Sequence, residues 1–352
     1  MPDIANRLPL VRPVAALRLV LLMAILFAAH VLCADEPADQ ALQRWLGPQA
    51  WKRDTAGPVL SLGAQGAFDD QHIHAPCVAF EQGQYQLWYT GARGTVADRV
   101  LRLGLAISRD GRTVERHANN PVLQFADGRH SVLTPTLLVQ LDGTPIREQG
   151  KLRLWFSSTD FQDKTHKHTL HEASSADGIR WSEPSAPLLE HVYSPTILRD
   201  GDRYLLWYTD VSSEPWCFRH ATSADGRAWD VVPEPVLRLE QAWESGRLFY
   251  PTVVKVDGLY LMWYGSYWKQ QPQKTALGFA VSRDGVHWTR SAHNPVLRPD
   301  PDRPWESHYT TCQCVLRRDD GSWRMWFSTR TKPPFVHKYF AISTAAWSGP
   351  AE

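Results

Sequence analysis

The stretch YQLWYTG, Tyr85 to Gly91, decides the fold, because the chain writes the same phrase five times. It returns as LRLWFSS ending at Ser158, YLLWYTD ending at Asp210, YLMWYGS ending at Ser266 and WRMWFST ending at Thr329. Each is a short aromatic and aliphatic run of strand type. Self-similarity of this kind is the signature of a repeat architecture.

Downstream of the Trp phrase come AISRDGRTVERHANNPVL, ASSADGIRWSEPSAPLL, ATSADGRAWDVVPEPVL and AVSRDGVHWTRSAHNPVL. Their Asp-Gly pairs, at Asp110, Asp177, Asp225 and Asp284, read as tight hairpin turns, since a two-residue connection needs positive φ and Asp-Gly supplies it. Upstream lie HIHAPCVAF, SVLTPTLLV, HVYSPTILR, RLFYPTVVK and YTTCQCVLR. Each repeat therefore reads as strand one, the Trp strand, a third strand ending at Asp-Gly and a fourth ending in PVL. The prediction is an all-β five-bladed β-propeller with four antiparallel strands per blade.

The fifth repeat stops at YFAISTAAW with no fourth strand after it, while WKRDTAGPVL, from Trp51 to Leu60, matches WTRSAHNPVL in the fourth repeat. The N-terminal strand is thus expected to complete the last blade and close the ring, which removes an exposed sheet edge. Residues 51–346 become one propeller domain, with a short segment 35–50 before it and a tail 347–352 after it. Before these stand Arg7, Arg12 and Arg18, then the apolar run Leu19 to Leu32, then an acidic exit. That is a signal-peptide pattern over residues 1–34, too short to span a bilayer, so the expected location is secreted or periplasmic with no membrane span after cleavage.

Of 352 residues, 38 are basic and 37 acidic, a net charge of +1 that implies neither a nucleic-acid stripe nor a polybasic membrane patch. Beyond the leader Cys77, Cys217, Cys312 and Cys314 remain, in no metal-type CxxC spacing. Export permits a disulfide among them, and buried free thiols in strands are the other reading.

In a propeller, strand one lines the axis and strand two returns to the same face, so residues before strand one and after strand two share a mouth. Aligned on Pro76, Pro135, Pro195, Pro251 and Gln313, the residues four upstream are His72, Ser131, His191, Arg247 and Tyr309. Period-two alternation adds His74, Leu133, Tyr193, Phe249 and Thr311. The far end of strand two supplies Arg93, Asp160, Asp210, Tyr267, Trp268 and Arg330; His130 and His308 stand beside the strand-one starts. The strand-two tryptophans recur in every blade and read as inter-blade packing. Asp69, Glu244 and Glu306 recur likewise and read as architecture, whereas Asp70, Asp160 and Asp210 break the repeat and read either as functional carboxylates or as solvated surface groups.

The YxLWYTG, SRDGxxW and NPVL phrases resemble the five-bladed propeller glycoside hydrolases, the group of arabinanases, xylosidases, invertases and levansucrases, and ESGRLFYP resembles an invertase phrase. That resemblance implies carboxylates before the strand-one anchors, where this chain has Ala75, Thr134, Ser194 and Tyr250.

The expectation is an exported carbohydrate-active protein, a glycoside hydrolase with Asp70, Asp160 and Asp210 as acid and base. His72, His74, His130, His191, Tyr193, Arg247, Phe249, Tyr267, Trp268, His308, Tyr309 and Arg330 are its expected sugar contacts. Two alternatives stay open. One is a lyase on an acidic glycan, using His72, His191, Tyr193 or Tyr309 for proton transfer and Arg247 for charge neutralisation. The other is a glycan-binding or assembly protein on the same scaffold. No cofactor is expected, although the His-rich axis suits a metal ion. The expected partner is a carbohydrate, with no nucleic acid.

Overall fold

A computed structural model describes residues 40–96, 98–163, 165, 167–334, 337 and 339–351. The expected leader, residues 1–34, lies outside the described residues. Regular structure is almost entirely strand; residues 40–46 are helical and Pro304–Glu306 forms one 3-10 turn. Among the described residues no helix is long and apolar enough to cross a membrane.

From Leu46 onward the chain is one β unit. His72–Glu81, Gln84–Ala92, Arg102–Ser108 and Glu115–Arg116 pair in sequence order as an antiparallel four-stranded sheet. Leu133–Leu137, Leu152–Ser158, Thr169–Ser175 and Leu189–Glu190 form a second, and Val192–Asp200, Arg203–Asp210, Cys217–Ser223 and Asp230–Val231 a third. A nine-stranded sheet holds the rest, because one parallel bridge, Thr275 to Tyr309, joins two further meanders. The first of these is Glu244–Val256, Leu259–Trp268, Gln271–Ser282 and Trp288–Arg290. The second is Tyr309–Arg317, Trp323–Arg330 and Ala341–Trp347, whose open edge pairs with Lys52–Arg53 and Leu60–Ser61. These four-stranded sheets are consistent with a propeller, and the first strands of successive meanders touch in a closed cycle.

The repeated Trp explains how neighbouring meanders are joined. Trp88 donates its indole N–H to the Gly178 carbonyl, Trp155 to Gly226, Trp207 to Gly285 and Trp326 to Gly111, at 2.7–2.9 Å. Each Trp thus reaches the Asp-Gly turn of the following sheet. Trp263 faces the meander that lacks such a turn, and its N–H finds the Gln49 side-chain oxygen at 3.0 Å instead. All five indoles are fully buried, where an unpaired N–H would cost about 1–3 kcal/mol.

The same contacts dictate glycine in the turns. Gly178, Gly226 and Gly285 have φ of +74° to +77°, and a Cβ on any of them would stand 2.7–2.8 Å from the indole it receives. The connections themselves are longer than the two-residue turns expected from sequence. Strand three ends at Ser108 and strand four begins at Glu115 in the first sheet. The Asp110 carboxylate caps the Arg112 and Thr113 amides at 2.8 Å, an Asx-type turn that Asp177, Asp225 and Asp284 repeat.

Asp69, Glu244 and Glu306 are architectural. Asp69 accepts from Tyr89 Oη and Arg116 Nε, and Glu244 from Tyr264 Oη and Arg290 Nε. Glu306 accepts from Arg53 Nε at 2.8 Å. Arg116 and Arg290 sit on fourth strands, and Arg53 is their counterpart on the N-terminal strand. The lock repeated in two sheets is therefore completed in the last by the beginning of the chain. Cys77, Cys217, Cys312 and Cys314 are all free thiols.

Candidate functional site

Every first strand breaks its pairing register at the residue before its anchor. Ala75, Thr134, Ser194, Tyr250 and Cys312 take φ of +55°, +39°, +51°, +57° and +48°. Left-handed backbone at a residue with a side chain costs roughly 1–2 kcal/mol, and here it recurs around the axis. Upstream of the bulge, alternation holds. His74, Leu133, Tyr193, Phe249 and Thr311, one from each meander, wall a cavity of about 170 Å³. His72, Arg247 and Tyr309 join them from the column two residues earlier, with Tyr267 from a second strand.

A third column was not read from the sequence. Leu101, His168, Trp216 and Thr275 line the cavity, each seven residues before the strand-three serines Ser108, Ser175, Ser223 and Ser282. Arg99, Phe161, Tyr250 and Tyr339 complete the lining. Tyr250 is the one large side chain in the bulge column, which otherwise faces a second axial cavity of about 250 Å³.

The chemistry is aromatic and cationic. The Tyr250 hydroxyl is 2.7 Å from that of Tyr193 and 3.3 Å from that of Tyr339. His74 stacks on Tyr339 at 4.2 Å and meets the Tyr250 ring edge-on at 5.3 Å. Burial pushes the Tyr193, Tyr250 and Tyr339 hydroxyls well above the usual tyrosine range, so all three are neutral proton donors at ordinary pH. The Arg99 guanidinium lies 3.7 Å above the Phe161 ring and bonds the Val96 carbonyl. Burial pulls its pKa down, and electrostatic interaction with Tyr193, Tyr339 and Tyr250 opposes that. Arg247 is at the rim, stacked 4.2 Å over Trp216 and paired with Glu214. Among the described residues, no Asp or Glu lines this cavity, and no group of three His, Cys, Asp or Glu is arranged to hold a metal ion.

Of the expected sugar contacts, the structure gathers His72, His74, Tyr193, Arg247, Phe249, Tyr267 and Tyr309 in one lining. Arg330 stands behind it, its guanidinium 5.2 Å from the Tyr309 ring. His130 pairs with Asp127 at the surface, His191 sits beside Glu190, and Trp268 packs under Arg298. His308 donates its amide to the Arg330 carbonyl at 3.0 Å. These four are outside the lining.

The three carboxylates expected to be catalytic are outside it as well. Asp70 accepts from the Gly66 amide at 2.7 Å. Asp160 is held below the usual carboxylate range by the Gln162 amide and by Arg129, which is 2.6 Å away. Burial pushes the Asp210 carboxyl up, but hydrogen bonds from Ser212 and from Arg219 at 2.6 Å outweigh it and leave the pKa low. A general acid needs the opposite shift.

No protein-family model matches the chain. Over 243 residues it is 29% identical to an uncharacterised protein of Mycobacterium tuberculosis, covering 64% of this chain and 76% of that one. A glycosyl hydrolase from Bacteroides ovatus superposes with a TM-score of 0.65 at 14% identity, over 87% of this chain and 96% of its own. The fold is shared with glycoside hydrolases. The catalytic domain of the Coprinopsis cinerea GH62 α-L-arabinofuranosidase is similar too, at TM-score 0.63 and 10% identity, over 87% and 99% of the two chains. The resemblance in the strand phrases is thus matched by architecture.

Proposed function

We propose that this is an exported carbohydrate-active protein that binds an acidic sugar at the mouth of a five-bladed propeller and cleaves it by β-elimination. The observation that carries the reading is one cavity lined by Arg99 and by three hydrogen-bonded tyrosines, without a carboxylate among its described residues. Paired-carboxylate hydrolysis needs an acid and a nucleophile or base flanking the scissile bond. Elimination next to a uronate needs charge neutralisation, a base and a proton donor.

Arg99 would hold the uronate carboxylate and stabilise the charge that develops there when the C5 proton leaves. His74 takes that proton, the C–H electron pair forms the C4=C5 double bond, and the C4–O bond breaks. The departing oxygen receives the Tyr250 proton, and His74 returns its proton to the phenolate through the adjoining hydroxyls. Tyr250 suits the task because burial keeps it protonated. The aromatic walls exclude water from the ring faces.

The five-bladed count is supported by the cycle of first strands and by the chain of Trp contacts. Export rests on the basic and apolar pattern of residues 1–34; cell fractionation with N-terminal sequencing tests it. For activity, the protein is incubated with a panel of neutral and uronate polysaccharides, reading reducing ends and unsaturated-product absorbance together. Unsaturated products are expected on uronate polymers. Reducing ends without unsaturation would overturn elimination in favour of hydrolysis by Asp70, Asp160 and Asp210. Binding without turnover would leave a glycan-binding protein.

A further inference from the structure

The shape of the cavity says which part of an acidic chain enters it. A groove that binds a polymer internally needs two open ends. Here each of the five meanders gives one wall residue, from His74 round to Thr311, so the wall is annular. The floor is closed too. Tyr250, where the other bulge residues are small, packs with Ala75, Phe249 and Cys312 in a buried apolar cluster and meets the His74 ring of the first meander at 5.3 Å. Its hydroxyl is tied to Tyr193 and Tyr339, and its carbonyl accepts from the Gln313 side chain at 2.8 Å. Below that floor the second axial cavity is separate.

The volume agrees. About 170 Å³ is well below the roughly 300–1,000 Å³ that takes a drug-sized ligand, and suits one sugar ring.

We infer, on the acidic-sugar reading above, that the protein engages a polyuronate by its reducing-end residue alone and releases an unsaturated monosaccharide. The direction follows from bond bookkeeping. The uronate that loses its C5 proton keeps the new C4=C5 bond, and the oxygen on C4 departs with the rest of the chain. If only that uronate fits beneath the mouth, nothing further is attached at its C1; with the ring lying flat on the floor, O4 reaches the Tyr250 hydroxyl and the chain leads from it up through the mouth.

The test uses the purified mature protein and galacturonate, glucuronate and mannuronate hexamers carrying 13C in the reducing-end residue, with products followed by mass spectrometry. Labelled unsaturated monosaccharide is expected from the earliest time, with pentamer as its partner. Unsaturated dimers or trimers at early times, or label retained in the longer fragment, would overturn the inference while leaving elimination intact. Calorimetry with unlabelled dimers and hexamers provides a readout that needs no turnover. A chain-end site gives affinities per chain within about threefold of each other, whereas an internal groove gives a rise of tenfold or more. Length-independent binding without unsaturated product would remove the elimination reading and keep the chain-end one. Binding of neither length would remove both.

Discussion

Trp326 donates its indole N–H to the carbonyl of Gly111 at 2.8 Å, across 215 positions of sequence, and so ties the last meander to the first. The same geometry between Trp207 and Gly285 gives a test. Gly285→Ala adds a Cβ 2.7 Å from the Trp207 ring at φ +77°, and strain plus overpacking should cost about 2–4 kcal/mol. Gly258→Ala has a similar φ, +80°, with nothing within 4 Å, and should cost about 1 kcal/mol. Urea denaturation of the two variants checks the difference; equal losses would reduce the turn to a backbone requirement.

Ring closure should depend on the start of the β unit. Arg53 is the ion-pair partner of Glu306, whose side chain is 0% exposed. Arg53→Ala leaves that carboxylate buried and is expected to cost roughly 3 kcal/mol. Arg247→Ala opens a pair that is 39% and 54% exposed and should cost at most about 1 kcal/mol. Thermal unfolding of both variants measures the contrast.

Arg99 and Asp160 separate the two chemistries. On the elimination reading, Arg99→Ala removes the carboxylate clamp and should lower kcat/KM on a uronate substrate by about 100-fold or more. Asp160→Asn should change it less than about threefold, because Asp160 pairs with Arg129 outside the lining. The reverse pattern in steady-state kinetics would return the chemistry to the rim carboxylates.

Much of this was legible in the sequence, for physical reasons. Trp88 and its counterparts stand out because each must reach a neighbouring turn, and Gly178 because no Cβ fits against that indole. The column from His74 to Thr311 was readable because strand alternation holds up to the bulge. Past it, the place of Tyr250 is hidden, since nothing in a sequence shows a left-handed residue before proline. Arg99 and Phe161 come from connections without periodicity. Asp160 and Asp210 look free in the sequence because their partners are brought in by the fold, Arg129 from 31 residues upstream and Arg219 from the neighbouring strand. The column from Leu101 to Thr275 could have been found by aligning strand-three serines.

Tyr250 makes an expectation for the alkaline side of the rate profile. Burial raises its pKa well above the ordinary value of about 10, so a proton donor there is not lost as pH rises through that value. The kcat profile on a uronate oligomer should stay flat to about pH 10. Tyr250→Phe should abolish most of kcat with little change in KM, since the ring that floors the cavity remains. A basic limb near pH 8, or full activity in Tyr250→Phe, would move the donor elsewhere.

Stability should fall on the acid side because of two buried imidazoles outside the cavity. His171 is stacked on Phe156 with its Nδ1 2.7 Å from the Ser185 carbonyl, and His220 is stacked on Trp207 with its Nδ1 3.0 Å from the Leu206 carbonyl. Burial lowers both pKa values below the ordinary histidine value. The unfolded chain, with histidines near 6.5, takes up protons first as pH falls. Their contribution is therefore complete above about pH 6.5 and is lost progressively below it. The melting temperature should drop by a few degrees between pH 7 and pH 5, and His220→Gln should flatten that slope while lowering stability at pH 7. An unchanged slope in His220→Gln and His171→Gln together would assign the acid sensitivity to other groups.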